Sequence, residues 1–310
     1  MSRLNLVGLS SLEQLRLNHN QLETLEPGWI QSCPRLVFLL LANNNLKLLD
    51  SSVFSDSLRD LNLSGNLLHQ VPDLSTALRL QTLSLASNPL DSFSFCSLNF
   101  LSRLKDLNIS ETGLTRVQPC QDTLRSLEGL DISANYLSLP TAELLALPNL
   151  RRISAGQRNI SVLSRASFVG LDSLRSIEVS NSPELTRLEP GVFAGLEYLE
   201  TVVIRSCPRL ESLPVGLVVG GDTSLTVSMG GNGLRRLEPG SLPWERVHAL
   251  DLGGNPLHCD CSVGWLLPLL ERFNSSAVCS TPLQYATINL EQLDKEQFQC
   301  TALGPIQEQN

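Results

Sequence analysis

Lysine is almost missing: Lys47, Lys105 and Lys295 are the only three in 310 residues. With 23 Lys+Arg against 31 Asp+Glu, the chain has a net charge of −8 and none of the basic footprint that nucleic acid or an anionic bilayer demands. Nucleic acid is therefore not an expected partner. Long apolar runs are missing too. No stretch approaches the ~18 consecutive apolar residues of a membrane span, so direct membrane insertion by this segment is not expected. The start, "MSRLNLVGLSS", has neither a sustained apolar core nor a small-residue cleavage site, so no secretory leader is visible. Histidine is sparse. His19, His69, His248 and His258 are widely separated, and no Ser-His-Asp, paired-carboxylate or phosphate-loop spacing accompanies them, which leaves no expected enzyme activity and no cofactor.

What the chain does have is 42% hydrophobic residues arranged in a repeat. "LEQLRLNHNQL" (Leu12 to Leu22), "LVFLLLANNNL" (Leu36 to Leu46), "LRDLNLSGNLL" (Leu58 to Leu68), "LQTLSLASNPL" (Leu80 to Leu90) and "LEGLDISANYL" (Leu127 to Leu137) share one form, L-x-x-L-x-L-x-x-N-x-L. Weaker copies begin at Leu104, Leu150, Leu174, Leu199, Ser224 and Val247, making eleven spaced 22 to 25 residues apart. The L-x-L pair sends two side chains to one side of a short strand. No unit closes a core alone, so neighbours must stack. The pattern is that of a leucine-rich repeat, and the expected fold is an α/β solenoid. This is a horseshoe with a parallel concave β-sheet and an irregular or 3₁₀ convex side.

The Asn position is expected to bridge backbone groups of adjacent turns. It falls at residues 20, 44, 66, 88, 112, 135, 158, 182, 207, 232 and 255. Thr112, Arg158, Ser182 and Cys207 depart from it. A charged Arg158 cannot enter a tight buried turn, so the seventh repeat should be irregular. The eighth and ninth, with an extra residue or two after the strand, should carry a bulged turn.

The two ends differ. Residues 1–11 match the outer wall of a repeat whose strand is missing, which suggests a fragment lacking an N-terminal cap and earlier repeats. The other end runs through "NPLHCDCSVGWLLPLLERF", "AVCSTP" and "FQC". Cysteine spacing alone leaves a zinc site, a redox pair and a disulfide lid as readings of Cys259-Asp260-Cys261. The ensemble of Asn255-Pro256, Cys259, Cys261, Trp265, Cys279, Pro282 and Cys300 resembles the C-terminal cysteine-rich cap of extracellular leucine-rich-repeat proteins, such as Slit-type, Toll-type and adhesion-receptor ectodomains. That resemblance implies disulfides Cys259–Cys279 and Cys261–Cys300. It divides the chain into repeats at 1–257, about eleven with the partial one at 1–11 ahead of them, a cap at 258–300 and a tail at 301–310. Leu257 stands where a bulky aromatic is common in the family.

Cys96 and Cys120 each lie eight residues beyond their ladder positions, 88 and 112, and so share a phase on neighbouring turns. They can form a disulfide or remain buried thiols; spacing does not choose. Cys33 and Cys207 have no partner in phase and are expected to be free. Candidate N-glycosylation sequons stand at Asn62, Asn108, Asn159 and Asn274, the first two on strand positions that face the concavity.

Function on a solenoid lives between the core leucines. The candidate partner-binding residues are Phe38, Leu40, Asp60, Asp106, Asp131, Arg152, Arg175, Glu178 and Arg205, an acidic centre beside a basic stripe. Phe38 and Leu40 are apolar where water is expected. Phe38 either packs against a missing turn or anchors a contact. The resemblance implies a protein-binding ectodomain of a cell-surface receptor or adhesion protein, with a protein ligand or co-receptor and homophilic association within its range. The alternative is a secreted matrix-organising protein, and both place the chain outside the cell, at its surface or secreted. An intracellular scaffold would keep the cysteines reduced. Intact-mass measurement after secretory expression separates these: reduction should add two hydrogens for each cap disulfide, and an unchanged mass would exclude the extracellular reading.

Overall fold

A computed structural model describes residues 6, 8–118, 120, 124–139, 147–270, 273 and 276–293. Eleven strands form one parallel sheet in the order of the chain: β1 (Gln14–Arg16), β2 (Phe38–Leu40), β3 (Asp60–Asn62), β4 (Thr82–Ser84), β5 (Asp106–Asn108), β6 (Gly129–Asp131), β7 (Arg152–Ser154), β9 (Ser176–Ser180), β11 (Thr201–Arg205), β12 (Leu225–Ser228) and β13 (Val247–Asp251). Two small parallel pairs lie outside it. β8 (Val162–Leu163) pairs with β10 (Arg187–Leu188), and β14 (Leu257–His258) with β15 (Cys279–Thr281). The outer wall turns through short 3₁₀ segments such as Ser51–Val53 and Phe95–Leu98. Among the described residues the only α-helix is one turn, α1 (Leu267–Leu270).

The alternation of the strands builds the core. Leu39, Leu61, Leu83, Leu107 and Leu130 stack in register down the sheet and are buried, as are Leu41, Leu63, Leu85, Ile109 and Ile132 two residues on. Phe93, Phe168 and Phe193 close the core from the convex side, the last two with ring centroids 5.6 Å apart. Burial of each such side chain contributes about 1.5–3 kcal/mol. At the first strand Leu12, Leu15 and Leu17 are only partly buried.

The buried amides hold the turns together. Asn88 Nδ2 donates to Leu63 O of the preceding turn and Leu85 O of its own, both at 2.9 Å, while its Oδ1 accepts from Leu68 N at 3.0 Å. Asn44, Asn66 and Asn255 repeat this geometry. A left-handed residue immediately precedes the ladder position in ten turns: His19, Asn43, Gly65, Ser87, Glu111, Ala134, Asn181, Ser206, Gly231 and Gly254. That conformation swings the next side chain back into the stack.

The seventh turn corrects the expected register. Gln157, not Arg158, fills the ladder: its Nε2 donates to Ile132 O at 2.9 Å and its Oε1 accepts from Leu137 N at 3.1 Å. The extra methylene of glutamine lets it reach the same groups from one residue earlier. Gly156 ahead of it has no positive φ, and its backbone lies so close to Ser180 that an added Cβ would stand 2.0 Å from Ser180 O. Arg158 stays exposed, with Nε donating to Ala134 O at 2.8 Å.

The other departures use shorter reach. Thr112 Oγ1 sits 2.9 Å from Ile109 O in its own turn, and Asn135 Oδ1 accepts from Thr112 N at 3.0 Å. Ser182 Oγ accepts from Gln157 N at 3.1 Å. The Cys207 thiol points at Arg205 O at 3.4 Å. In the eighth and ninth turns the extra residues lengthen the strands: β9 and β11 run five residues each and stay paired to Ser180 and Arg205.

Disulfides join Cys96 to Cys120 and Cys259 to Cys279, with Cα separations of 5.4 and 5.7 Å. The first staples the convex side of two adjacent turns, where parallel bridge Ser94–Gln118 brings the chains together. The second joins β15 to the residue following β14, so these two sulfurs are not thiolate ligands of a metal. Cys33 and Cys207 are free and buried. Cys300, and with it the pairing Cys261–Cys300, lies outside the described residues, as do Asn274 and residues 294–310. Trp265 packs against Trp244 with centroids 5.1 Å apart, covering the last turn.

Replacing Gln157 by Ala should cost about 1–3 kcal/mol, because Leu137 N and Ile132 O lose their buried partner. Arg158→Ala should stay within about 0.5 kcal/mol of wild type. Urea unfolding of both variants checks this; the reverse ranking would restore Arg158 to the ladder.

Candidate functional site

The concave sheet is a lattice whose rows are strands and whose columns are set by register. One column places Phe38, Asp60, Thr82, Asp106, Gly129 and Arg152 side by side; the next places Leu40, Asn62, Ser84, Asn108, Asp131, Ser154 and Glu178. Neighbouring strands are about 4.8 Å apart, so each side chain touches only its nearest companions unless something small intervenes.

Glycine intervenes at one such place. Arg152 reaches over Gly129 to Asp106, Nη2 to Oδ1 at 2.6 Å, an ion pair spanning three strands. A Cβ on Gly129 would stand 2.2 Å from Asp106 Oδ1 and 2.9 Å from Arg152 Nη2, so the pair exists because that position has no side chain. Further along, Arg205 pairs with Asp251 two strands away, and there the intervening residue is Ser228, whose hydroxyl contacts both. Gly129 and Asp251 are not among the candidate partner-binding residues. The signal was available, since glycine inside a strand pattern marks a close approach.

These pairs change the expected charge layout. The basic stripe is not free: Arg151 lies 3.8 Å from Glu128, which also holds Lys105 at 3.2 Å, and Arg175 binds Glu200 at 2.5 Å. Arg175 sits outside the central columns, over the ring of Tyr198 at 5.9 Å. The Lys105 hydrogen bond, with the charges of Arg151 and Arg152 behind it, holds Glu128 below the ordinary carboxylate value. Burial alone would raise Asp251. The Gly253 N–H, the Ser276 and Ser228 hydroxyls and the Arg205 charge outweigh it and hold that carboxyl low.

Around the Asp106–Arg152 pair lies a shallow groove of 430 Å³, lined among others by Ser84, Asn108, Asp131, Ser154 and Glu178. Asp131 Oδ1 accepts from Ser133 N at 2.9 Å and from Ser133 Oγ at 2.6 Å. Asn62 and Asn108 do the same with Ser64 and Ser110. The serine of each sequon thus closes a local turn with its own asparagine, a bond that an aspartate makes equally well at Asp131. Asn159 is exposed on the far side of the ladder turn.

At the N-terminal side Phe38 is 43% exposed and Leu40 partly exposed, even though β1 is in place beside them. Packing against β1 therefore does not bury Phe38. Asp60, its partner in register, is partly buried, and burial pushes its carboxyl above the ordinary value.

The histidines sit in open surface. Ser224 and His248 Nδ1 are 2.8 Å apart, but the other ring nitrogen faces Thr226 Oγ1 at 3.3 Å, so no carboxylate orients the imidazole. His69 pairs with Asp91, and His258 with Asp260, on distant turns.

The stacked leucines, the parallel sheet and the amide ladder define the fold as a leucine-rich-repeat solenoid. The leucine rich repeat family model matches residues 3–46 and 148–208. Among curated proteins the chain is 30% identical over 147 residues to fibromodulin of Mus musculus, covering 46% of this chain and 35% of that one. It is 29% identical over 176 residues to Toll-like receptor 3 of Boselaphus tragocamelus, 57% of this chain and 15% of the receptor. Tsukushi-A of Xenopus laevis matches at 28% over 188 residues, 59% and 51% of the two chains. The chain thus spans about a third of fibromodulin. A solved LRR protein of Leptospira interrogans superposes with a TM-score of 0.58 at 23% identity, covering 86% of this chain and 61% of that one, which speaks for the fold alone.

Asp60 generates a pH prediction. Its folded pKa is raised, so the native state holds the proton more tightly than the unfolded chain, and its charge weighs against folding once pH has risen through both values. Asp60→Asn should therefore gain stability relative to wild type as pH climbs from about 3.9 towards neutrality and match it below that window. Denaturant midpoints at acid and neutral pH test this; a neutral-pH loss would show that the carboxylate has a stabilising partner.

Proposed function

We propose that this chain is the protein-binding part of a cell-surface leucine-rich-repeat receptor or adhesion protein, recognising its partner on the concave face. The observation that carries this reading is the sheet itself. Eleven strands lie side by side with no described loop crossing their concave columns, and charges there are held in place by ion pairs spanning several turns. Such a surface offers a protein partner a large, preorganised set of polar contacts at little ordering cost. Leucine-rich-repeat folds serve as interaction scaffolds. The two disulfides support an oxidising, extracellular setting. Among the described residues no helix is long and apolar enough to cross a membrane.

A secreted matrix-organising protein would use the same sheet and disulfides, and the match to fibromodulin favours keeping that reading. A membrane span or lipid-anchor signal later in the reading frame separates the two. The cap at 258–300 and homophilic association belong to this proposal as well, with Asn159 as a glycan site that leaves the concave columns open; glycans at Asn62 or Asn108 would cover them.

Asp131→Asn tests the face directly. It turns Asp131-Ile132-Ser133 into a sequon at the centre of the groove while keeping the turn that Asn108 makes one strand away. With a glycan attached, the variant should lose at least about tenfold in affinity for whatever protein the secreted wild-type chain captures at cell surfaces or in matrix. The same variant, enzymatically deglycosylated to Asp131, should bind like wild type. Undiminished binding by the glycosylated form would move recognition off the concave face.

A further inference from the structure

The carboxylates of the concave face are almost all engaged. Asp106 meets Arg152, Asp131 holds Ser133, Glu178 reaches Ser154 at 3.5 Å, and Asp251 is bound by Arg205, Ser228 and Ser276. Asp60 is the exception. It is drawn partly out of water beside the exposed ring of Phe38, and among the described residues its carboxylate makes no hydrogen bond and no ion pair. Arg16, two strands away, is turned to its own strand: with the Gln14 amide oxygen facing it, its Nε and Nη2 donate to that oxygen at 2.9 Å. Along the same column Thr82, Ser176 and Thr201 show that a small neutral residue fits the position. A desolvated charge without a donor costs stability, so a cation brought to it by a partner would be held there.

The surroundings state what that partner is. A side chain approaching Asp60 from the concavity passes Phe38 and Leu40, so it needs an apolar stem and a positive tip. The exposed face of the Phe38 ring attracts a cation as well. We propose that Phe38, Leu40 and Asp60 form a seat for one lysine or arginine side chain of a protein partner, its methylenes against Phe38 and Leu40 and its cation on the Asp60 carboxylate. This rests on the concave-face reading and names the chemistry of the residue recognised there. It also accounts for an apolar pair and an unsatisfied acid standing together on an otherwise polar sheet.

The probes are three capped tripeptides, acetyl-Gly-Xaa-Gly-amide with arginine, lysine or citrulline at the centre, titrated into the full chain and followed by the NMR signals of the Phe38 ring and Leu40 methyls. Arginine and lysine should shift both sets saturably, with half-saturation at least about fivefold lower than for citrulline, which keeps the shape and loses the charge. Asp60→Asn should abolish that preference while leaving the fold intact and its thermal midpoint at neutral pH no lower than that of wild type. Phe38→Ala should weaken both cationic peptides and keep their advantage over citrulline. Equal shifts from citrulline, an unaltered preference in Asp60→Asn, or shifts confined to Asp131 and Glu178 would each overturn the seat. Failure here together with loss of partner binding in the glycosylated Asp131→Asn chain removes the seat alone, whereas undiminished binding by that chain removes the concave-face reading.

Discussion

Between each pair of turns a strip of backbone leaves the sheet, and its N–H and C=O groups are sealed from water by the leucines of both turns. A group buried there without a partner costs about 1–3 kcal/mol, and the cost recurs at every turn. Asparagine meets it with one donor pair and one acceptor on a short stem. At Asn88 a single amide closes bonds to its own turn and to the preceding one. Everything else in the structure depends on this bridge. It fixes how closely turns stack, and with that the register of eleven strands and the columns of the concave face.

The substitutions show which part of the bridge matters. Gln157 keeps both contacts because its length compensates for a start one residue early. Thr112 and Ser182 keep part of the pattern with a hydroxyl, and adjacent amides or local bonds take over the remainder. The requirement is therefore for polar atoms at particular points in space, not for a residue type at a particular number. A disulfide between Cys96 and Cys120 adds a covalent tie on the convex side of the same stack.

The concave face inherits its order from that stack. Because columns are in register, removing one side chain opens a path between the residues on either side. Gly129 opens it for Arg152 and Asp106, whereas between Arg205 and Asp251 the short Ser228 joins the bridge itself. Exposed pairs of this kind contribute little stability, about 0–1 kcal/mol each. Their consequence is organisational: long arginine side chains are held flat along the sheet, and an acidic centre beside a basic stripe becomes a neutralised network with Asp60 left over at one side.

The repeat, the inward leucines, the outward polar positions and the phase shared by Cys96 and Cys120 were legible in the sequence, because each follows from spacing along a chain whose strands stack in order. Spacing also placed Phe38 and Asp60 on the same face. It misassigned the seventh turn by one residue, since side-chain length and the close approach of Gly156 to Ser180 matter only once two turns are packed. It offered no choice between a disulfide and two thiols at Cys96 and Cys120. Which charges neutralise each other, and which carboxylate is left without a donor, were decided by tertiary structure alone. Those are properties of distances across strands, and a linear pattern of residues carries the order of the columns but not the reach of the side chains that cross them.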